Sequence, residues 1–217
     1  MKRQKIKPLL QSDVPIENLL VKGWVRTRRD SKGFSFIELN DGSCLSNLQV
    51  IAEDSLDDYA KIKTLTTGSA VAVTGKLSES PGKGQKWELK ADSVEIIHRA
   101  PENYPLQKKR HSDEYLRTIA HLRPRTNKYG AAFRIRSELS FAIHQYFRNS
   151  GFLYVHTPIL TGLDCEGAGD LFSVTALNLD NVPKSEGKSD FSRDFFGKKA
   201  YLTVSGQLSA EIGRAHV

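Results

Sequence analysis

Between residues 20 and 97 the apolar residues fall in short runs separated by turn chemistry, and no long helical period crosses them. Such runs predict strands near 21–29, 34–40, 46–52, 69–76 and 85–92. Asp30-Ser31-Lys32-Gly33 and Asn40-Asp41-Gly42-Ser43 have hairpin-type chemistry. Their Asp and Asn side chains bond nearby backbone, and glycine reaches positive φ without a steric cost. Between the third and fourth runs Leu56, Tyr59, Ile62 and Leu65 recur at helical spacing, which predicts a short helix within 55–66. Five strands with a helix after the third is the order of an OB-fold barrel.

Alternation along these strands separates core from surface. In the second strand Ile37 and Leu39 point one way, and Phe34, Phe36 and Glu38 the other. In the third, Leu48 and Val50 go inward, which leaves Asn47 and Gln49 beside the aromatic face. Trp24, Arg26 and Arg28 of the first strand join that face by the same parity. Two aromatics sharing a face with a carboxylate make poor core, and strands two and three are where an OB-fold binds single-stranded nucleic acid. Unpaired bases stack on aromatics for about 1–3 kcal/mol each, and amide side chains read their edges. The competing reading packs Phe34 or Phe36 against the second half of the chain. Lys and Arg outnumber Asp and Glu by 32 to 25, a net charge of +7. That excess suits a polyanionic partner, although many basic proteins only gain solubility from it.

From 101 to 127 prolines and charges dominate, as in a hinge, with a short helix near 112–120. A helical period then runs over 128–150, where Ala132, Ile135, Leu139, Ala142, Ile143 and Tyr146 form one apolar stripe. Gly151 supplies the left-handed stop. Phe152-Leu153-Tyr154-Val155 predicts a short strand ended by Pro158, residues 182–199 a polar surface insertion, and 200–204 a buried strand. The fold class is therefore α+β. Nothing resembles a membrane span or a signal core, and Cys44 and Cys165 are too far apart in sequence for a CxxC pair. No metal site is expected, the thiols read as buried or half-buried, and the cytoplasm is the expected location. Pro81-Gly82-Lys83-Gly84 lacks phosphate-loop spacing, and Glu166-Gly167-Ala168-Gly169 lacks the dinucleotide pattern.

Several stretches resemble a known family. The run from Phe147 to Leu160, followed by Glu166-Gly167-Ala168-Gly169-Asp170, is similar to motif 1 and the substrate loop of class II aminoacyl-tRNA synthetases. The segment from Gly23 to Lys32, with Asp41-Gly42-Ser43 and Leu48-Gln49-Val50-Ile51, resembles the anticodon-binding domain of the aspartyl, asparaginyl and lysyl group. His121-Leu122-Arg123-Pro124-Arg125-Thr126-Asn127 narrows the resemblance to the bacterial-type asparaginyl-tRNA synthetase family. Thr74-Gly75-Lys76, Asp194-Phe195-Phe196-Gly197-Lys198 and Thr203-Val204-Ser205-Gly206-Gln207-Leu208 agree with it.

The resemblance implies an OB-fold anticodon-binding domain over 1–100, a hinge over 101–127 and the start of a class II antiparallel-sheet catalytic domain over 128–211. It implies anticodon binding by Phe36, Gln49, Arg28 and Glu88, and a dimer interface at Pro158 and the helix before it. Glu166 would pair with the α-ammonium of asparagine, with Ser205 and Gln207 lining the amino-acid pocket. The implied activity is ATP-dependent ligation of asparagine to tRNA(Asn) through asparaginyl-adenylate, with Mg²⁺, by a homodimer. The expectation is of an N-terminal fragment without motifs 2 and 3 and without catalytic residues, inactive in ATP–pyrophosphate exchange. Residues 212–217 are expected to be a non-native tail, because they equal an in-frame translation of a sequencing adapter. Two other readings stay open: an aspartyl enzyme that charges both acceptor tRNAs, and a stand-alone OB-fold nucleic-acid-binding protein.

Overall fold

The computed structural model describes residues 1–82, 84–163, 171–206 and 209, and the chain divides into two compact units, Met1–Ser140 and Phe141–Val217. In the first unit, strand β1 (Arg3–Gln4) and helix α1 (Ile6–Leu10) precede β2 (Ile16–Ser31), β3 (Phe34–Asn40) and β4 (Leu48–Glu53). Helix α2 (Tyr59–Ile62), β5 (Ala70–Glu79) and β6 (Trp87–His98) follow. The strands run β2-β3-β4-β6-β5, and β5 pairs back onto β2, which closes a five-stranded barrel.

Closure depends on β2 serving two neighbours. Its first half, Ile16 to Trp24, pairs with β5, and its second half, Trp24 to Ser31, pairs with β3. The handover falls beside Gly23, where an added Cβ would lie 2.7 Å from the Asn40 carbonyl oxygen. A side chain there would push the two strands apart, so the close approach requires glycine. The predicted alternation holds in β3 and β4: Ile37, Leu39, Leu48 and Val50 are fully buried, and Phe34, Phe36, Glu38 and Gln49 are half-buried on the outer side.

The N-terminal segment gave no sequence signal, yet it belongs to the core. Ile6 and Leu9 of α1 are buried among the barrel residues. The Trp87 indole, buried as well, donates to the Ser12 carbonyl at 2.9 Å. Asp41 and Ser43 do more than turn the chain. Asp41 Oδ2 accepts the Ile6 N–H at 3.0 Å and Ser43 Oγ the Lys7 N–H at 3.0 Å, so the turn satisfies donors that α1 cannot. Burial opposes the Asp41 charge, but the Ser43 hydroxyl, the Ile6 and Ser43 N–H groups and Arg3 outweigh it and hold the carboxyl below its ordinary value. A carboxyl lowered by folding stabilises the native state while ionised. Asp41→Ala is expected to cost about 1–2 kcal/mol at neutral pH by denaturant titration. The gap to wild type should shrink as pH drops below the usual carboxylate value of about 4 and through the lowered native one.

Beyond the barrel come α3 (Asp113–Thr118), a 3-10 turn (Arg123–Arg125) and the long helix α4 (Asn127–Asn149). Ser112 caps α3 by accepting the Tyr115 N–H at 3.2 Å. Gly151 takes φ 85°, and the Phe152 N–H reaches back to the Phe147 carbonyl at 3.0 Å, the expected left-handed stop. The apolar stripe of α4 is not packed: Ile135 is 66% exposed, Leu139 58% and Tyr146 68%.

In the second unit β7 (Leu160–Thr161), β8 (Ser173–Val174) and β11 (Ala200–Leu202) form a sheet in the order β7-β11-β8. A small hairpin of β9 (Lys184–Ser185) and β10 (Lys188–Ser189) lies between them in sequence, within the polar stretch. Two expectations are corrected. The strand over 152–155 does not form, because no described residue pairs with it, and Leu153 is 90% exposed. The strand after Lys199 is shorter than predicted and only Ala200 is buried; Leu202 and Val204 remain exposed. Asp194 accepts the Ala176 and Phe195 N–H groups, each at 2.8 Å, and thus staples its own loop.

Candidate nucleic-acid interface

The site grows from the outward residues of β3. Phe34 and Phe36 meet edge to face with centroids 4.9 Å apart, and the Arg29 guanidinium lies 4.9 Å from the Phe36 ring centre. Next along the strand, Glu38 stands opposite Gln49 of β4, and Gln49 is in register with Glu88 of β6. Asn47 Nδ2 donates to Glu38 Oε2 at 3.2 Å. Glu88 is only 5% exposed and accepts from Ser80 Oγ at 3.1 Å. An aromatic plate, a guanidinium, an amide and the Glu38 carboxylate therefore occupy neighbouring half-buried positions on the barrel's outer side, with Glu88 buried next in register. That set can stack an unpaired base and hydrogen-bond its edge.

The first strand departs from simple parity. Its register shifts between Val25 and Thr27, a bulge that leaves Arg26 out of the ladder. After the bulge every side chain changes sides. Thr27 faces Glu38 and Arg29 faces Phe36, whereas Arg28 is opposite the inward Ile37. Arg28 instead donates to the Leu65 carbonyl at 3.2 Å and to both oxygens of Asp30 at 2.7 Å. The Ser35 hydroxyl, together with Arg28, holds the Asp30 carboxyl below its ordinary value. The parity that grouped Arg26 and Arg28 with Phe36 is thus corrected, and Arg29 takes the place beside the ring. Nothing in the run Arg28-Arg29 marks the bulge, so alternation alone puts Arg28 rather than Arg29 on the Phe36 face. Trp24 does point outward, but its ring is covered by the Arg125 guanidinium at 4.3 Å.

The two arginines should separate experimentally. Arg29→Ala should weaken RNA binding and flatten its salt dependence by roughly 0.7 in log–log slope if the guanidinium also meets a phosphate. Arg28→Ala should lower thermal stability and leave the salt slope unchanged. Fluorescence anisotropy over a salt series, with melting curves on the same samples, reads both.

Between the barrel and the hinge of the first unit lies a cleft of about 980 Å³, bordered by Glu38 and Asn47 on the barrel side and, on the hinge side, by Lys108, Lys109 and Arg110 together with Glu114 and the ion pair of Lys128 with Asp113. Its cations adjoin the Phe36 row through Glu38.

Of the remaining expected site residues, Glu166 and Gln207 lie outside the described residues. Ser205 follows β11, with its carbonyl accepting from Thr203 Oγ1 at 2.6 Å. Pro158 is exposed at the start of the short second-unit sheet. Among the described residues no three His, Cys, Asp or Glu side chains gather as a metal site would need, and no helix is long and apolar enough to cross a membrane.

Comparison with known proteins agrees with this geometry. Residues 19–97 match the OB-fold nucleic acid binding domain family, and residues 112–212 match the family of class II tRNA synthetases (D, K and N). The asparagine–tRNA ligase of Oleidesulfovibrio alaskensis is 60% identical over 213 residues, 98% of this chain and 46% of that protein. That of Nostoc sp. is 59% identical over 215 residues, again 98% and 46%. Among solved structures, the asparaginyl-tRNA synthetase of Pyrococcus horikoshii complexed with asparaginyl-adenylate superposes with a TM-score of 0.77 at 22% identity, covering 100% of this chain and 46% of that one. A putative aspartyl-tRNA synthetase from Leishmania major superposes at 0.74 with 17% identity, covering 98% and 40%; both likenesses speak for the fold. The chain belongs to the class II aminoacyl-tRNA synthetases of the D, K and N group, with the OB-fold domain ahead of the synthetase domain. It spans about 46% of the length of the curated relatives named here.

Proposed function

We propose that this chain is the tRNA-reading and dimer-forming part of an asparagine–tRNA ligase, which joins asparagine to tRNA(Asn) through asparaginyl-adenylate at the expense of ATP. The Phe36 face carries this reading: a ring under Arg29, with the Gln49 amide and the Glu88 carboxylate in the adjoining positions. An anticodon base stacks on Phe36 while the amide and carboxylate meet its hydrogen-bonding edge. The cationic hinge cleft takes phosphates of the adjoining stem. The names of the relatives at 60% and 59% identity support asparagine as the amino acid.

In this reading Glu166 pairs with the asparagine α-ammonium, a charge-assisted contact, and Ser205 and Gln207 line the pocket. ATP with Mg²⁺ supplies the activation of the amino-acid carboxylate. Two copies join in the cytoplasm through α4 and Pro158, and the exposed apolar stripe of α4 supports that pairing.

The test is binding of anticodon stem-loop transcripts with the asparagine anticodon and with single-base changes in it. Affinity that falls at the changed positions is the expected result. Equal affinity for all sequences would overturn the reading in favour of a general single-strand binder.

A further inference from the structure

A second cavity of about 450 Å³ lies apart from the Phe36 row, between the middle of β2, the turn after β3 and the start of α4 in the first unit. Its lining includes Trp24, Leu45 and Phe133, with the Arg125 guanidinium over one face of Trp24 at 4.3 Å, and its cations are Arg26, Arg125 and Arg134; among the described residues no carboxylate lines it. The three guanidiniums are half-buried and held by neutral oxygens. Arg26 donates to the Arg125 carbonyl, Arg125 to the Tyr104 hydroxyl at 2.9 Å, and Arg134 to the carbonyls of Gly130 at 3.1 Å and Gly42 at 2.6 Å. None of the three is ion-paired among the described residues, whereas Arg28, Lys86 and Lys128 each have an Asp.

Partly burying three like charges without a counter-charge costs free energy. Fixing them with neutral acceptors keeps them in place while leaving the charge and several of each guanidinium's five N–H donors unspent. Such a site is preorganised for an anion with several acceptor oxygens. The aromatic and aliphatic walls, and a volume well above that of a bare oxyanion, call for a flat apolar part as well. We infer that this cavity binds a nucleotide, with a heteroaromatic base against the apolar lining of Leu45 and Phe133 and a phosphate among the three arginines. The nucleotide comes either free from solution or as an unstacked residue of a bound RNA. The inference does not rest on the role given to Phe36.

Cys44 is half-buried and lines the same cavity, so its thiol reports occupancy. Alkylation of Cys44 by iodoacetamide is followed by peptide mass spectrometry on the 217-residue chain, with AMP, UMP, adenosine or inorganic phosphate present. At ten times the dissociation constant the free fraction is roughly a tenth, so AMP or UMP should slow alkylation about tenfold. Adenosine or phosphate at the same concentration should slow it far less, because each supplies half of the recognition. Arg26→Gln and Phe133→Ala, checked as folded by melting curves, should each remove most of the protection given by free AMP or UMP. If stem-loop RNA protects Cys44, Phe133→Ala removes that protection and free nucleotides have no effect, the RNA is the source of the nucleotide. An unchanged rate with nucleotides and RNA alike would overturn the inference, as would protection that both cavity variants retain.

Discussion

Phe36→Ala is expected to weaken binding of the asparagine anticodon stem-loop by about 5- to 150-fold, the range set by a stacking loss of about 1–3 kcal/mol. The ring lies on the outer side of β3, half-buried, and touches Phe34 and Arg29 rather than the core. Its removal should therefore leave the melting temperature within a few degrees of wild type. Ile37, the next residue, is fully buried and gives the contrast. Ile37→Ala should cost about 2–5 kcal/mol of stability whatever it does to RNA. Anisotropy titrations with thermal melts on both variants decide the matter. A Phe36→Ala chain that binds the stem-loop as tightly as wild type would remove the ring from the recognition surface. One that melts like Ile37→Ala would make it a core residue.

Gly75→Ala should be the most destabilising single-carbon change in the barrel. An added Cβ would lie 2.0 Å from the Lys90 carbonyl oxygen and 2.9 Å from its carbon. Those atoms are backbone of β6, so no side-chain rotation relieves the clash. Gly75 also pairs with Leu19 of β2 and sits where the β5–β6 register shifts, so displacing it strains both ladders that close the barrel. The expected cost is about 3 kcal/mol or more, with partial or complete unfolding at 37 °C. Gly82→Ala is the control: its new methyl would come no closer than 3.4 Å, to the Ser80 hydroxyl, and should change stability by less than about 0.5 kcal/mol. Urea denaturation followed by circular dichroism measures both, and a Gly75→Ala barrel as stable as wild type would show that β5 and β6 are more loosely joined than their register implies.

Much of this architecture could be read from the residues in order. β3 begins and ends where its alternation and flanking turns place it, and α4 lies within one residue of its predicted bounds, because strict period and explicit stop signals are local properties. Helix α1 and the Asp41 cap escaped because five residues carry no readable period and the cap bridges 35 positions. Phe152 to Val155 misled because apolar, strand-favouring residues need a neighbouring strand to bond, and the described residues offer none.

For the candidate site the division is finer. Composition and alternation were enough to turn Phe36, Gln49 and Glu38 outward together, since side-chain direction in a strand follows from counting. Turning Arg29 rather than Arg28 toward Phe36, binding Glu88 to Ser80 and gathering three arginines around a cavity were decided only by the folded chain. A bulge changes the count by one, and a cavity is made by residues about a hundred positions apart; both follow from closing the barrel and laying the hinge against it.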